Sequence, residues 1–387
     1  MSTTSELERG NAVSDAELQA LAELARNFFG SEVIPHRDKY IAQGHPDKDL
    51  YRRAGELGLL CMSVPEQYGG GGGTFAHDAV LFREQALAGD SSLHLGVHSA
   101  IVPHYILAYG SEAQKKRYLP RLASGEWVAA IAMTEPGTGS DLQAITTSAT
   151  RDDDGYRITG AKTFISNGLN CDVVIVAAKT DVKARGSGVS LFIVEVNEDT
   201  SGFSRGKPIH KLGQQGQDTT ELFFDDLQVP ASALLGQENT GFRQLKDQLV
   251  RERLILGVSA VAAMQRAVDL TVAYTKERQV FGAPLFALQN TRFELAECAT
   301  IARVSQIFLD DCIERHLRDE LDAATAAMAK YWLSDQQCAV IDRCLQLFGG
   351  YGYVLEYPIA QMYADARIQR IYAGANEVMK EMIARSL

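Results

Sequence analysis

Apolar positions in the first third of the chain recur at helical spacing. Ser14 and Glu17 have the spacing of a capping box, and Leu18, Leu21, Leu24 and Phe28 follow on one helical stripe. Residues 51–60 and 76–87 repeat the pattern. They are split by Gly69 to Gly73 after VPEQY, a run that costs too much backbone entropy inside a helix and so predicts a loop. From Trp127 to about Gly236 the period changes to short β-branched and aromatic runs: WVAAIAMTE, YRITGAKTFISN, DVVIVAAKT, VSLFIVEVN and ELFFDDLQV. Strands without intervening helices predict an antiparallel sheet or barrel. Long helical patterns then return over 242–278, 290–317 and 319–347, with a shorter one after Pro358, which predicts a bundle.

Composition narrows the function classes. Of 387 residues, 46% are apolar and 22% charged, enough to bury large cores and too much for bulk disorder. The net charge of −11 would repel a phosphate backbone, which argues against nucleic-acid binding. Apolar runs fall short of the roughly 18–20 residues that span a bilayer. The polar start MSTTSELERG has no signal-peptide core, so a cytoplasmic location is expected. Cys61, Cys171, Cys298, Cys312, Cys338 and Cys344 are scattered and read as small buried hydrophobes. His94 and His98 sit at i, i+4 without an acidic residue between them, and a packing role outweighs a metal site. No metal is expected. Neither a P-loop nor a GxGxxG between strand and helix occurs.

Four segments stand out from this background. Residues 133–141, MTEPGTGSD, form a loop whose glycines and hydroxyls bring backbone N–H groups close to a flat or anionic ligand, or simply make a tight turn. Residues 162–168, KTFISNG, end a strand on an aromatic, a hydroxyl and a turn. ERQVFG at 277–282 closes the long helix, where an arginine suits the dipole in any case. QLFGGYGY at 346–353 precedes IYAGANE at 371–377.

Together, in this order, these segments resemble the acyl-CoA dehydrogenase family of flavoproteins, over nearly the whole chain. The resemblance implies a mainly α fold with a central β-barrel, in three domains: an N-terminal helical domain (1–125), a β-barrel (126–236) and a four-helix bundle (237–387). It implies FAD, a homotetramer built as a dimer of dimers, and an electron-transferring flavoprotein as electron acceptor. Carried over by residue, Ile131, Met133, Thr134, Gly139, Ser140, Phe164, Ile165 and Ser166 would meet the flavin. Arg278, Phe281 and Gln289 would hold the pyrophosphate and adenosine of a partner's FAD, with Gln346, Gly349 and Gly350 as the other half of that site. Ala375 and Glu377 complete the cofactor set, although many relatives have a hydroxyl where Ala375 stands. Ser140, Arg253, Tyr372 and Gly374 fall on the substrate side.

The base is where this sequence departs from most of the family. A Glu usually follows the Tyr of the final motif, but here Ala373 does. A smaller branch, the long-chain and isovaleryl types, takes its base from the first long C-terminal helix, and HKLG, QDTTELFFDD and VRERLIL are similar to the long-chain type. Leu245, Leu249, Glu252 and Leu256 form one helical stripe. A carboxylate on an apolar stripe is costly unless it works or is paired, and a salt bridge to Arg251, Arg253 or a neighbouring helix is the alternative.

The resemblance therefore implies dehydrogenation of an acyl-CoA thioester to the trans-2-enoyl product. Glu252 would take the α-proton and flavin N5 the β-hydride, while the Ala373 N–H and a ribityl hydroxyl polarise the carbonyl. An oxidase or monooxygenase on the same scaffold, or a carrier-protein thioester in place of CoA, are the alternatives. Acyl-chain depth should be set around Gln85 to Val97. The small Ala373-Gly374-Ala375 loop would leave room for branched chains.

Overall fold

The computed structural model describes residues 14–387, so the polar opening segment and the signal-peptide expectation that rests on it lie outside the described residues. Helix α1 (Asp15–Phe28) starts at Ser14, whose Oγ accepts from the Glu17 N–H at 3.2 Å. The Glu17 carboxylate does not complete a capping box. It reaches His77 Nε2 at 3.1 Å, tying α1 to a later helix. There follow α2 (Arg37–Gln43), α3 (Asp49–Glu56), α4 (Phe75–Ala88), α5 (Val102–Tyr109) and α6 (Glu112–Ala123). The glycine run expected to be a loop is one, between α3 and α4.

The middle of the chain forms seven strands: β1 (Ala129–Ala132), β2 (Ser148–Arg151), β3 (Gly155–Ser166), β4 (Val173–Lys179), β5 (Val189–Glu195), β6 (Phe203–Arg205) and β7 (Thr219–Pro230). They make one curled half-barrel. Two expectations are corrected here. The sheet is not wholly antiparallel: β1 runs parallel to β4, and β2 meets β4 in parallel at Ser148 and Lys179. The β2–β3 hairpin intervenes between β1 and β4, so the chain re-enters the sheet in the direction in which it left. The short strands β2 and β6 also escape the sequence pattern, because a strand of three or four residues shows too little alternation.

Alternation along β4 and β5 serves both faces of the sheet. Val173, Ile175, Leu191 and Ile193 pack with Val102, Tyr105 and Leu119 of the helical region. Val174, Val176, Phe192 and Val194 face the opposite side with Leu222 and Phe224.

The last third is α7 (Gly241–Glu277), the hairpin β8 (Gln279–Val280) and β9 (Ala283–Pro284), α8 (Gln289–Leu317), α9 (Ala323–Phe348), α10 (Pro358–Ala366) and α11 (Asn376–Ala384). Helix α9 begins later than the sequence pattern predicts. Asp322 caps it by accepting from the Ala324 and Thr325 N–H groups at 2.9 Å, and Asp319 sits at φ +56. By length and composition α7 could cross a bilayer, contrary to the expectation that apolar runs fall short; here it is a core helix. Its apolar side, with Leu254, Val258, Val261 and Met264, shares one core with α1, α4, α8 and α9.

A buried ion pair fastens α7 to the N-terminal helices. The Arg251 guanidinium donates to Asp78 of α4, to Ser63 Oγ at 2.7 Å and to the Ala100 carbonyl at 3.1 Å. Burial pushes the Asp78 carboxyl up, and Arg251 opposes that. Arg251→Met should therefore strand a desolvated carboxylate and cost about 3–5 kcal/mol in urea unfolding. The double variant Asp78→Leu/Arg251→Met should recover much of that loss. A double variant no more stable than the single one would remove the pair's role.

Candidate active site

Glu252 is 7% exposed on α7, and its Oε1 accepts from the Tyr105 hydroxyl of α5 at 2.9 Å. Burial pushes its carboxyl up to about 7, against the pull of the Tyr105 hydrogen bond and the Arg253 charge. A salt bridge to Arg251 is not what holds it, since Arg251 turns to Asp78. A carboxylate at this value is half ionised near neutral pH and can both take and return a proton.

Arg253, 3% exposed, extends the other way. Its Nη2 lies 3.5 Å from Met382 Sδ of α11, and a Cβ built on Gly374 would stand 3.9 Å from it. Arg253 is thus lodged beside the 372–375 loop. The loop has an unusual backbone, with Ala373 at φ +50 and Gly374 at φ +97. A side chain at Gly374 would strike Met379 Cε at 2.5 Å. Lys330, 1% exposed on α9, donates to the Gly374 carbonyl at 2.6 Å and to Asn376 Oδ1 at 2.8 Å. Burial draws its ammonium down to about 8, and the nearby Arg253 charge adds to this. The Ala373 N–H has no hydrogen-bond acceptor among the described residues, which leaves it free to donate to a ligand.

A cavity of about 150 Å³ opens one turn further along α7, between α4, the 89–96 segment, α7 and α10; Tyr372 reaches it from the loop, while Glu252 and Ala373 do not line it. Ile255 and Leu256, one turn beyond Glu252, line it with Gln85, Leu93 and Tyr372. The Tyr372 hydroxyl is pushed up by burial.

A second group of site residues gathers in the sheet around another buried ion pair. Lys162 Nζ of β3 donates to Glu135 Oε1 at 2.9 Å and to the Met133 carbonyl at 3.0 Å. Glu135 also accepts from the Thr146 and Thr147 N–H groups at 2.6 and 2.9 Å. Burial works against its charge, but Lys162 and these donors hold the carboxyl down to about 2. The Thr163 N–H donates to the Thr134 carbonyl at 2.9 Å. The 133–141 loop and the 162–168 strand are thereby locked side by side, which brings Ile131, Met133 and Thr134 near Phe164, Ile165 and Ser166. Phe164 is 65% exposed at φ +58, where the β3–β7 register shifts. Gly139 and Ser140 are exposed, and a Cβ on Gly137 or Gly139 would meet nothing within 4 Å.

A third group lies at the far end of the bundle. Arg278 closes α7 and stacks over the Tyr351 ring, 5.6 Å from its centroid. Phe281, at φ +50 on the β8–β9 turn, is 99% exposed. Gln289 begins α8, and Gln346, Gly349 and Gly350 end α9, all exposed. Gly282, Gly349 and Gly350 face open space where a Cβ would stand. Along α7, Arg278 is about 39 Å from Glu252 at ~1.5 Å per residue. Ala375 caps α11 without a side-chain bond, and Glu377 is exposed in its first turn.

His98 is a packing residue. Its Nδ1 accepts from the Ala129 N–H and its Nε2 donates to the Leu122 carbonyl, while burial pulls it down to about 4. Among the described residues no three His, Cys, Asp or Glu side chains gather as a metal site. Sequence reasoning missed Tyr105, Lys330 and the Lys162–Glu135 pair. Lys330 had a signal, a lone cation within AATAAMAKYWL, whereas Tyr105 had none.

The family descriptions that match are "Acyl-CoA dehydrogenase, N-terminal domain" over residues 15–126, "middle domain" over 130–227 and "C-terminal domain" over 239–387. The chain is 44% identical over 377 residues to a long-chain specific acyl-CoA dehydrogenase, mitochondrial, of Sus scrofa, covering 97% of this chain and 87% of that protein. Its structure superposes on an acyl-CoA dehydrogenase from Geobacillus kaustophilus with a TM-score of 0.94 at 41% identity, covering 97% and 99% of the two chains. An acyl-CoA dehydrogenase complexed with FAD from Bacillus anthracis gives 0.90 at 31% identity, covering 96% of this chain and 68% of that one.

Removing the Tyr105 hydroxyl takes away a donor that favours the charged form. Tyr105→Phe should therefore raise the Glu252 carboxyl above about 7. Infrared titration with labelled glutamate would show the rise, and an unchanged or lower midpoint would refute the coupling.

Proposed function

Because the chain belongs to the acyl-CoA dehydrogenase family, we propose that it dehydrogenates an acyl-CoA thioester between the α- and β-carbons, with Glu252 as the base. The observation that carries this reading is a buried carboxyl near 7, bonded to a phenol and one helical turn from a cavity that Tyr372 of the 372–375 loop also lines. Enclosure by α5 and α7 keeps water from competing for the proton. Tyr105 fixes which oxygen faces away from the substrate. Ala373 donates its N–H to the thioester carbonyl, which acidifies the α-carbon; one such donor contributes about 3–4 kcal/mol. Lys330 holds the Gly374 carbonyl and so keeps that N–H aimed.

The enzyme is an FAD-dependent oxidoreductase. When bound, FAD supplies the acceptor for the β-hydride. The residues present fit it: an exposed aromatic at Phe164, hydroxyls at Thr134 and Ser166, and glycines facing open space at 137 and 139. Arg278, Phe281, Gln289, Gln346, Gly349 and Gly350 would hold the diphosphate and adenosine end, with the planar guanidinium suited to phosphate oxygens. By the family resemblance, the FAD they would hold is the one whose flavin sits in a partner subunit. A shared site needs at least two copies; the resemblance makes the reading a homotetramer, a dimer of dimers in which the bundle end of one copy serves the flavin held by another. Electrons would leave to an electron-transferring flavoprotein. The chain is read as three folding units, 1–125, 126–236 and 237–387. The six thiols, all free, go with a reducing, cytoplasmic setting.

Arg278→Ala should lower FAD content and tetramer population together, as measured by flavin absorbance and sedimentation. A monomer with full, tightly held FAD would sink the shared site.

Glu252→Gln should retain FAD and bind acyl-CoA, yet bleach anaerobically slower by at least about 10²–10⁴-fold. Glu at Ala373 in that background should restore part of the rate. The same variant makes a stability prediction. Glu252 is raised in the folded state above its ordinary ~4.3, so the folded chain holds this proton more tightly than the unfolded one. Its contribution is most favourable at low pH and is lost as pH rises towards and through about 7. Glu252→Gln should thus gain about 1–3 kcal/mol over wild type at pH 8 and little at pH 5. Bleaching at the wild-type rate would mean that another group is the base.

A further inference from the structure

The cavity one turn along α7 from Glu252 changes character along its length. On α7 it is lined by Leu256, Ser259, Ala263 and Arg266, one stripe at spacings of three and four. Arg266 lies about 21 Å along the helix from Glu252 at ~1.5 Å per residue. Arg37, at the start of α2, lines the same cavity. Each guanidinium has a buried Nε without a partner, and neither forms an ion pair among the described residues. Arg266 gives one hydrogen bond, from Nη1 to the Leu87 carbonyl. Burial draws its guanidinium down, and the adjacent charge that acts on it is Arg37, another cation.

Two carboxylates line this cavity, and neither forms an ion pair with Arg37 or Arg266 among the described residues. Asp90 accepts from the Ser92 N–H at 2.8 Å, the Ser92 hydroxyl at 2.5 Å and Gln85 Nε2 at 2.8 Å. Asp365 accepts from the Gln214 N–H and feels the Arg37 charge without reaching ion-pair distance. A plain alkyl chain would leave both guanidinium Nε donors unsatisfied against its methyl end.

We propose that the cavity accepts acyl chains whose far end carries a carboxylate, bound by Arg266 and Arg37, so that ω-carboxyacyl-CoA thioesters are a substrate class of this enzyme. The geometry suits it: two cations at the end remote from the base, with a planar donor fork that matches carboxylate oxygens. The proposal rests on the assignment of this cavity to the acyl chain and of Glu252 to the base.

The test compares hexadecanedioyl-, ω-hydroxyhexadecanoyl- and hexadecanoyl-CoA on the FAD-loaded enzyme, read by anaerobic flavin bleaching. Binding is read separately from the flavin spectrum in the Glu252→Gln background. The dicarboxylic thioester should bind most tightly, and the hydroxy compound should gain little over the plain chain. Arg266→Leu should lower kcat/KM and affinity for the dicarboxylic thioester at least about tenfold, as for loss of a charged hydrogen bond. It should affect hexadecanoyl-CoA far less, so that the preference for the dicarboxylic thioester over the plain chain falls at least about tenfold. Arg37→Leu, which also lines the cavity from α2, is the second variant, should Arg266→Leu lose FAD or fail to fold. Equal effects on all three thioesters in both variants, or no preference in wild type, would overturn the proposal while bleaching by hexadecanoyl-CoA upheld the base. If no thioester bleached the wild-type flavin, the assignment of the base and cavity would fall, and this proposal with it.

Discussion

A carboxylate kept in a dry interior with a phenol, not a cation, as its hydrogen-bond partner is the constraint on which this site depends. The sequence around it is Arg251-Glu252-Arg253, and either neighbour placed against Glu252 would hold it ionised and weakly basic. Successive side chains on a helix point about 100° apart, so three consecutive residues reach three different neighbours. Arg251 is drawn to Asp78 on α4, Glu252 to Tyr105 on α5, and Arg253 towards Met382 on α11. The carboxyl is thus left near 7 although two guanidiniums adjoin it in sequence. The ion pair that secures α7 to α4 also keeps a cation away from the base.

Buried cations perform a related task in the loops. Lys162 spans the Glu135 carboxylate and the Met133 carbonyl, and Lys330 spans the Gly374 carbonyl and Asn376. Each joins a segment of irregular backbone to a regular element. Such groups are expensive to bury and add little net stability, but they penalise every alternative loop conformation that leaves the ammonium unpaired. The loop that carries Ala373 is a case in point. A left-handed alanine costs roughly 1–2 kcal/mol, and Lys330 offsets that by binding the next carbonyl.

Much of this was legible in the residues, for physical reasons that differ from element to element. Long helices announced themselves because a stripe such as Leu245, Leu249, Leu256 is repeated over many turns. That Glu252 is buried was legible because a charge falls on that stripe, but the stripe alone left a salt bridge open and only the family resemblance pointed to a base; Lys330 could have been found by the same burial argument. Tyr105 could not, since a tyrosine in an apolar helix is ordinary and its partner is 147 residues away. The parallel β1–β4 pairing was hidden because strand direction depends on how the chain returns, which alternation within a strand does not encode. The start of α9 slipped because Asp322 caps it locally, a signal that outweighs the apolar period running back towards 319.

In the proposed mechanism, placing the base on a helix rather than in the loop divides two demands that conflict. A proton acceptor gains from a rigid, desolvated seat, which α7 provides through packing on α4 and α9. A donor to the thioester carbonyl needs an unpaired backbone N–H, which regular structure would consume, so it must come from a segment with irregular φ such as Ala373-Gly374. A glutamate at 373 would ask one residue to meet both demands, its side chain carried by a left-handed backbone. With Glu252 on α7, the loop keeps only small side chains, and its conformation is set by Lys330 and by the Met379 contact that excludes a Cβ at Gly374. On the proposed assignment the two roles can be perturbed separately: Tyr105 bonds the Glu252 carboxyl from α5, and Lys330 bonds the Gly374 carbonyl from α9.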